Sequence, residues 1–323
     1  MLLAFLAIVG GLVVLIWSAD RFIDGAAATA GHAGMPALLI GMLVVGFGTS
    51  APEMVVSAFA AAGGSPQLAL GNAYGSNIVN ISLILGATAL VTPIAIHSGL
   101  IRKELPLLVL LVLFSGWQLL DGKLSRPDAI VLLAGFFALL GWSLLSALRH
   151  NGNDPLAQDM HREIHEHTMP LPQALFWLLL GLLLLVASSR LLVWGAITVA
   201  RQLGISDMII GLTIVALGTS LPELAASVTA VRKGQHDIAL GNVLGSNMFN
   251  LLAVVGIAGA IAPLDVLQET LARDWPVMMA LTIALFAMCF RPAGEGHIHR
   301  WQGVLLLAAY VGYNGWLAWQ LTG

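Results

Sequence analysis

Gly46-Phe47-Gly48-Thr49-Ser50-Ala51-Pro52-Glu53 stands in the middle of a long apolar run, and the chain repeats it as Ala216-Leu217-Gly218-Thr219-Ser220-Leu221-Pro222-Glu223. The surrounding runs, 35–62 and 205–231, are long enough to cross a bilayer, so each glutamate falls at hydrocarbon depth. A carboxylate there costs roughly 2.5–3.5 kcal/mol on insertion scales. Two such costs, placed identically in two halves, argue for function over packing. The proline before each acid supplies a mechanism. Pro52 has no N–H, so the Gly48 carbonyl loses its helical partner. In a membrane, freed oxygens must find protein, water or a cation. The spacing therefore predicts helix breaks at 48–52 and 218–222, with Glu53 and Glu223 each in the first turn of a new half-helix. The positive dipole end there favours an ionised carboxylate. Freed carbonyls, two hydroxyls and one carboxylate within about two turns make an all-oxygen site of the kind hard cations take.

Composition points the same way. The chain is 58% hydrophobic and 10% charged, against roughly 45–50% and 25% for soluble proteins. Ten apolar runs, at 2–18, 35–62, 67–91, 104–120, 127–148, 172–198, 205–231, 236–262, 275–290 and 302–320, each suit a membrane-spanning helix. The expected fold is an all-α integral membrane protein of ten transmembrane helices. The first run lacks a basic n-region and a small-residue cleavage signal, so it reads as a helix and not a signal peptide. The single cysteine, Cys289, excludes an internal disulfide framework and reads as a buried inert thiol. A net charge of −3 without a basic patch gives no hint of nucleic acid. Asp20, Arg21 and Asp24 at the end of the first run are either an interfacial anchor with a local ion pair or gate charges. His161, His165 and His167 lie in the one long polar stretch, where a solvated loop outweighs a zinc site.

The second half repeats the first. A shift of 170 residues aligns 46–90 with 216–260 without a gap, and roughly 17 of the 45 positions are identical. The matches include Gly-Asn-x-x-Gly-Ser-Asn-x-x-Asn at 71–80 and 241–250. Asn72, Ser76 and Asn80 fall four apart, on one helical face, and read together as the lining of a cavity. Gly71 and Gly75 permit close helix approach. The division expected is a first five-helix repeat at 1–148, a central cytoplasmic loop at 149–170 and a second repeat at 171–323. Five spans per half is odd, so the second repeat enters the membrane inverted, an arrangement that puts a transporter's site near the midplane. Basic residues favour both termini outside: Arg21, Arg102, Lys103, Arg149, Arg162, Arg232, Lys233, Arg291 and Arg300 then face the cytoplasm.

The paired Gly-Thr-Ser-x-Pro-Glu and Gly-Asn-x-x-Gly-Ser-Asn blocks resemble the two alpha repeats of the calcium/cation antiporter superfamily, and in particular bacterial inner-membrane sodium/calcium exchangers. The resemblance covers nearly the whole chain. It implies an antiporter, not an enzyme, that exchanges calcium for sodium by alternating access, with the lipid bilayer and the two ions as its partners and no cofactor. It implies cation ligands at Glu53 and Glu223, hydroxyl or carbonyl ligands at Thr49, Ser50, Thr219 and Ser220, and further ligands at Ser76, Asn80, Ser246 and Asn250. Gly46 and Ala216 would lend backbone carbonyls, and Asn72 and Asn242 are secondary candidates, divided between packing and cation contact. Some members carry an aspartate where this chain has Asn250, and that acid accompanies potassium transport. Asn80 and Asn250 are both neutral here, which argues against potassium coupling. Calcium/proton exchange is the alternative within transport. A cation channel, or a membrane enzyme using the paired glutamates, is the alternative outside it. The broken segments hold no His, Lys or metal triad for an enzyme.

Overall fold

The first helix is longer than its apolar run. In the computed structural model, α1 (Leu2–Ala33) continues for fifteen residues past the predicted end at 18, carrying Asp20, Arg21 and Asp24 inside the helix. The residues described are 2–33, 35, 37–64, 66–96, 101–149, 169–203, 216–289 and 296–322. The central loop with His161, His165 and His167, and the start of the seventh run, lie outside them.

After α1 come α2 (Ala37–Ile40), a π-helical stretch (Gly41–Gly46) and α3 (Phe47–Ala62). Then follow α4 (Pro66–Val79), a second π-helical stretch (Asn80–Leu85) and α5 (Gly86–Val91). The first half closes with α6 (Ile101–Gln118) and α7 (Arg126–Arg149). The second half contains α8 (Leu171–Gln202), α9 (Ala216–Thr219) and α10 (Leu221–Arg232). Next are α11 (His236–Phe249), a π-helical stretch (Asn250–Val254) and α12 (Val255–Ile261). A last π-helical stretch (Thr270–Asp274) leads into α13 (Trp275–Cys289), and α14 (Arg300–Thr322) ends the chain. Among the described residues, seven helical segments are long and apolar enough to cross a membrane. The protein is thus a multi-pass membrane protein.

Two departures from an all-helical reading are small. β1 (Ile94–Ile96) pairs antiparallel with β4 (Gly296–Ile298), and β2 (Lys123–Leu124) with β3 (Leu264–Asp265). These strands lie just beyond helix ends, where backbone groups without helical partners take each other instead.

The chain divides into two compact units, and each draws on both halves of the sequence. One comprises Met1–Pro52 and Phe137–Asn242, the other Glu53–Phe136 and Val243–Gly323. In the first unit, α1 and α8 pack through reciprocal glycines. A Cβ at Gly11 would lie 3.0 Å from Leu192, and one at Gly181 2.8 Å from Phe22. A Cβ at Gly25 would lie 2.8 Å from the Ala174 carbonyl, and one at Gly195 2.7 Å from the Ala4 carbonyl. Every one of these pairs maps onto another under the 170-residue shift, as in a self-complementary two-fold interface. Rising numbers on α1 meet falling numbers on α8, so the two repeat-equivalent helices run antiparallel. The second unit shows the same exchange in its strands, since β1 and β3 are repeat equivalents, as are β2 and β4, and each pair joins the two halves.

Solvation is inverted relative to a soluble protein. Phe5, Val13, Phe59, Leu110, Phe137, Leu179 and Trp319 are exposed, whereas Ser50, Glu53, Ser57, Asn77, Asn80, Glu223, Asn242 and Asn250 are buried. Lipid accepts the first group without penalty, and the second must find partners inside.

Candidate functional site

The duplicated Gly-Thr-Ser-x-Pro-Glu motif folds differently in its two copies. In the second, α9 ends at Thr219, and Ser220 leaves helical geometry at φ −93°, ψ 5° before α10 begins. Pro222 occupies the first positions of α10 and Glu223 its first turn, as the sequence predicts. In the first copy no break appears at 48–52. Pro52 lies within the continuous α3, so Glu53 is in the second turn and not the first. The irregularity in this segment lies upstream instead, in the π-helical stretch Gly41–Gly46.

In the first unit the site is built around Glu223. Ser50 Oγ donates to Glu223 Oε1 at 3.5 Å. Thr49 Oγ1 lies within hydrogen-bond distance of the Val45 carbonyl (3.0 Å), the Gly46 carbonyl (3.4 Å) and Asn242 Oδ1 (3.1 Å). Asn242 in turn donates through Nδ2 to the Glu223 carbonyl at 3.2 Å and to Ser227 Oγ at 2.8 Å. Both donors of Asn242 are engaged with protein and its oxygen lies beside Thr49 Oγ1, so it is a hub holding Thr49 beside the Glu223 backbone. Gly241 permits the approach, since a Cβ there would lie 2.3 Å from the Leu38 carbonyl. The carbonyl of Gly218, which Pro222 deprives of its helical donor, accepts from Ser189 Oγ of α8 at 2.9 Å. That freed oxygen is satisfied by protein and not held for a cation. Ser220 is buried and Thr219 half-buried. Ala216 is the first residue of α9, and Gly46 is buried at the end of its π-helical stretch.

The second unit holds Glu53, 1% exposed, whose Oε2 has no hydrogen-bond partner among the described residues. Four residues on, Ser57 Oγ accepts from Asn72 Nδ2 at 3.1 Å. This repeats the Asn242–Ser227 bond and gives Asn72 the same helix-joining part. Ser76 and Ser246 are buried one turn before Asn80 and Asn250. Asn80 Nδ2 donates to Asn247 Oδ1 at 3.0 Å, and Asn250 Nδ2 to Asn77 Oδ1 at 3.1 Å. The carbonyl oxygens of Asn80 and Asn250 are left buried with no partner among the described residues. Buried unpartnered acceptors are costly unless something fills them. Glu53 Oε2, Asn80 Oδ1 and Asn250 Oδ1 are all oxygens, which suits a sodium or calcium ion.

Asn77, Asn247, Ser57, Ser227 and Ser189 were not singled out from the sequence. The first four could have been, because they are identical in the two repeats. Ser189 has no such signal, since its repeat equivalent is Ala19. Inside α1, Lys233 Nζ reaches Asp20 at 2.8 Å and Asp24 at 2.6 Å, and Arg21 stacks on Trp177. In place of the local ion pair expected there, the acids pair with a residue distant in sequence.

The chain is similar to CaxA of Alkalimonas amylolytica, with 47% identity over 97% of this chain and 98% of that protein. It is similar to inner membrane protein YrbG of Escherichia coli (strain K12), with 40% identity over 99% of this chain and 98% of that protein. Among solved structures it is similar to the sodium-calcium exchanger NCX_Mj, with 31% identity, a TM-score of 0.82 and coverage of 96% of this chain and 97% of that one. Residues 3–145 and 173–319 match the family described as sodium/calcium exchanger protein, and the chain belongs to that family.

Proposed function

We propose that this protein is a secondary antiporter that exchanges calcium for sodium across a bacterial inner membrane by alternating access. The observation that carries the reading is a buried glutamate in each unit, accompanied by oxygen ligands whose own partners are incomplete or shared. Two carboxylates balance one calcium ion, and the same oxygens can be taken by sodium ions instead. Occupancy of shared ligands by one ion or the other couples the two fluxes. The ligands proposed are Glu53 and Glu223 with Thr49, Ser50, Thr219, Ser220, Ser76, Asn80, Ser246 and Asn250, and the backbone carbonyls of Gly46 and Ala216. The ions are cargo, and the reading gives the protein no cofactor and no catalytic step. With both asparagines neutral, the reading has no carboxylate for co-transported potassium.

The architecture proposed with this function is ten spans in two inverted five-helix repeats, 1–148 and 171–323, joined by a cytoplasmic loop, with both termini periplasmic. Antiparallel packing of the repeat-equivalent α1 and α8 supports it. The test is calcium uptake into sealed vesicles containing the purified protein, with sodium and pH gradients imposed separately. Uptake driven by an outward sodium gradient at clamped pH is expected. Uptake that ignores sodium and follows the pH gradient would replace this reading with calcium/proton exchange.

A further inference from the structure

Asn77 and Asn247 are buried, at 1% and 0% exposure, and neither is among the ligands read from the sequence. Their hydrogen bonds are crossed between the repeats. Asn77 accepts from Asn250, not from its own-helix neighbour Asn80, and Asn247 accepts from Asn80, not from Asn250. Under the 170-residue shift the two bonds are the same bond, made twice.

One further contact fixes the direction of the Asn77–Asn250 bond; the Asn247–Asn80 bond, whose Asn247 Nδ2 has no partner among the described residues, follows it by the repeat symmetry. Asn77 Nδ2 lies 3.2 Å from the backbone carbonyl of Asn247, and a carbonyl can only accept. The amide end of Asn77 is therefore committed to that side, with the Met278 sulfur 3.5 Å away as its second neighbour. Its oxygen must then face Asn250. An oxygen there obliges Asn250 to present its N–H, which turns the Asn250 carbonyl oxygen away from Asn77 and leaves it without a partner among the described residues. An Asn side chain alone can present either end. This chain of bonds allows only one.

We propose that Asn77 and Asn247 are positioning residues for ion exchange, which orient Asn250 and Asn80 so that each offers its amide oxygen, not its nitrogen, as a cation ligand. Asn77 has its oxygen and its nitrogen occupied by protein, so it acts through Asn250 and does not touch the ion itself. The proposal rests on the reading of Asn80 and Asn250 as ligands given above. A flipped amide would aim an N–H at a cation, which is repulsive, so orientation affects affinity directly.

The experiment is a pair of double-mutant cycles on sodium-driven calcium uptake in vesicles, with the Michaelis constant for calcium as readout and thermal unfolding measured on the same preparations. Asn77→Ala and Asn250→Ala are each expected to raise the constant roughly tenfold, and the double variant to be no worse than either single one. Asn247→Ala should couple in the same way to Asn80→Ala. The crossed pairs should couple and the same-helix pairs, 77 with 80 and 247 with 250, should be additive. Additive crossed pairs would overturn the proposal, as would variants that lose thermal stability and maximal rate with the constant unchanged. If both Asn77→Ala and Asn247→Ala fail to fold, the pair belongs to packing and the proposal also falls. Absence of sodium-driven uptake in the unaltered protein would instead overturn the functional reading on which it rests.

Discussion

Glu53 and Glu223 occupy the same place in the same motif, yet their surroundings differ. Glu223 is in the first turn of α10 with Ser50 donating to it, and Glu53 is in the second turn of α3. A buried carboxylate without its ion opposes folding, so it is retained for a reason other than stability. Glu53→Gln keeps the shape and removes the charge. We expect calcium uptake to fall at least about tenfold, the equivalent of ~1.4 kcal/mol, while the unfolding temperature in detergent holds or rises. The same is expected of Glu223→Gln. Retained uptake in either variant would remove that glutamate from the ion site. The acids were legible in the sequence because a charge in an apolar run has few explanations, and duplication removes most of those. The part played by Asn242 was not legible. Polar residues in a membrane helix read alike whether they bind a cation or a neighbouring helix, and only the count of satisfied donors and acceptors separates the two.

Elements were legible wherever apolar length alone decides them, and less so where the backbone departs from a regular helix. The extent of α1 was underestimated because Asp20, Arg21 and Asp24 look like a terminus, although Lys233 and Trp177 supply them with partners inside the fold. The break at Pro222 was predicted correctly and that at Pro52 was not, because a proline kinks a helix as readily as it breaks one. Close packing of α1 on α8 is the other feature hidden from a linear reading. Gly25 is one glycine among several in α1, but a Cβ there would meet the Leu178 nitrogen at 2.5 Å and the Ala174 carbonyl at 2.8 Å, both backbone. Gly10 has nothing within 4 Å. Gly25→Ala should therefore destabilise the protein by about 1–3 kcal/mol through overpacking, and Gly10→Ala should not. Equal unfolding temperatures for the two variants would show that α1 and α8 are not in backbone contact.

For the whole molecule, the open quantity is the number of spans. Seven helical segments satisfy length and apolarity among the described residues, whereas the sequence reading asks for ten. The three in question are α6, the α9–α10 pair and α14. α6 is 18 residues long and begins among Arg102, Lys103 and Glu104, and most of the first half of the seventh run lies outside the described residues. The antiparallel contact of α1 with α8 argues for counting α6. Consecutive spans alternate in direction, so two antiparallel helices must be separated by an even number of crossings. Of the seven segments, three lie between α1 and α8, namely Leu38–Ala62, Pro66–Val91 and Arg126–Leu145, which would make α1 and α8 parallel. Counting α6 gives four, and the observed packing follows. The same parity applied to the entire chain yields the last prediction. Ten crossings return the C-terminus to the side on which the N-terminus began, and seven put them on opposite sides. Basic residues favour the periplasm for both. Reporters that are active only outside the cytoplasm, fused separately to each end, should both report periplasmic locations. One active end and one silent end would mean an odd number of spans, and with it the loss of the inverted five-plus-five arrangement.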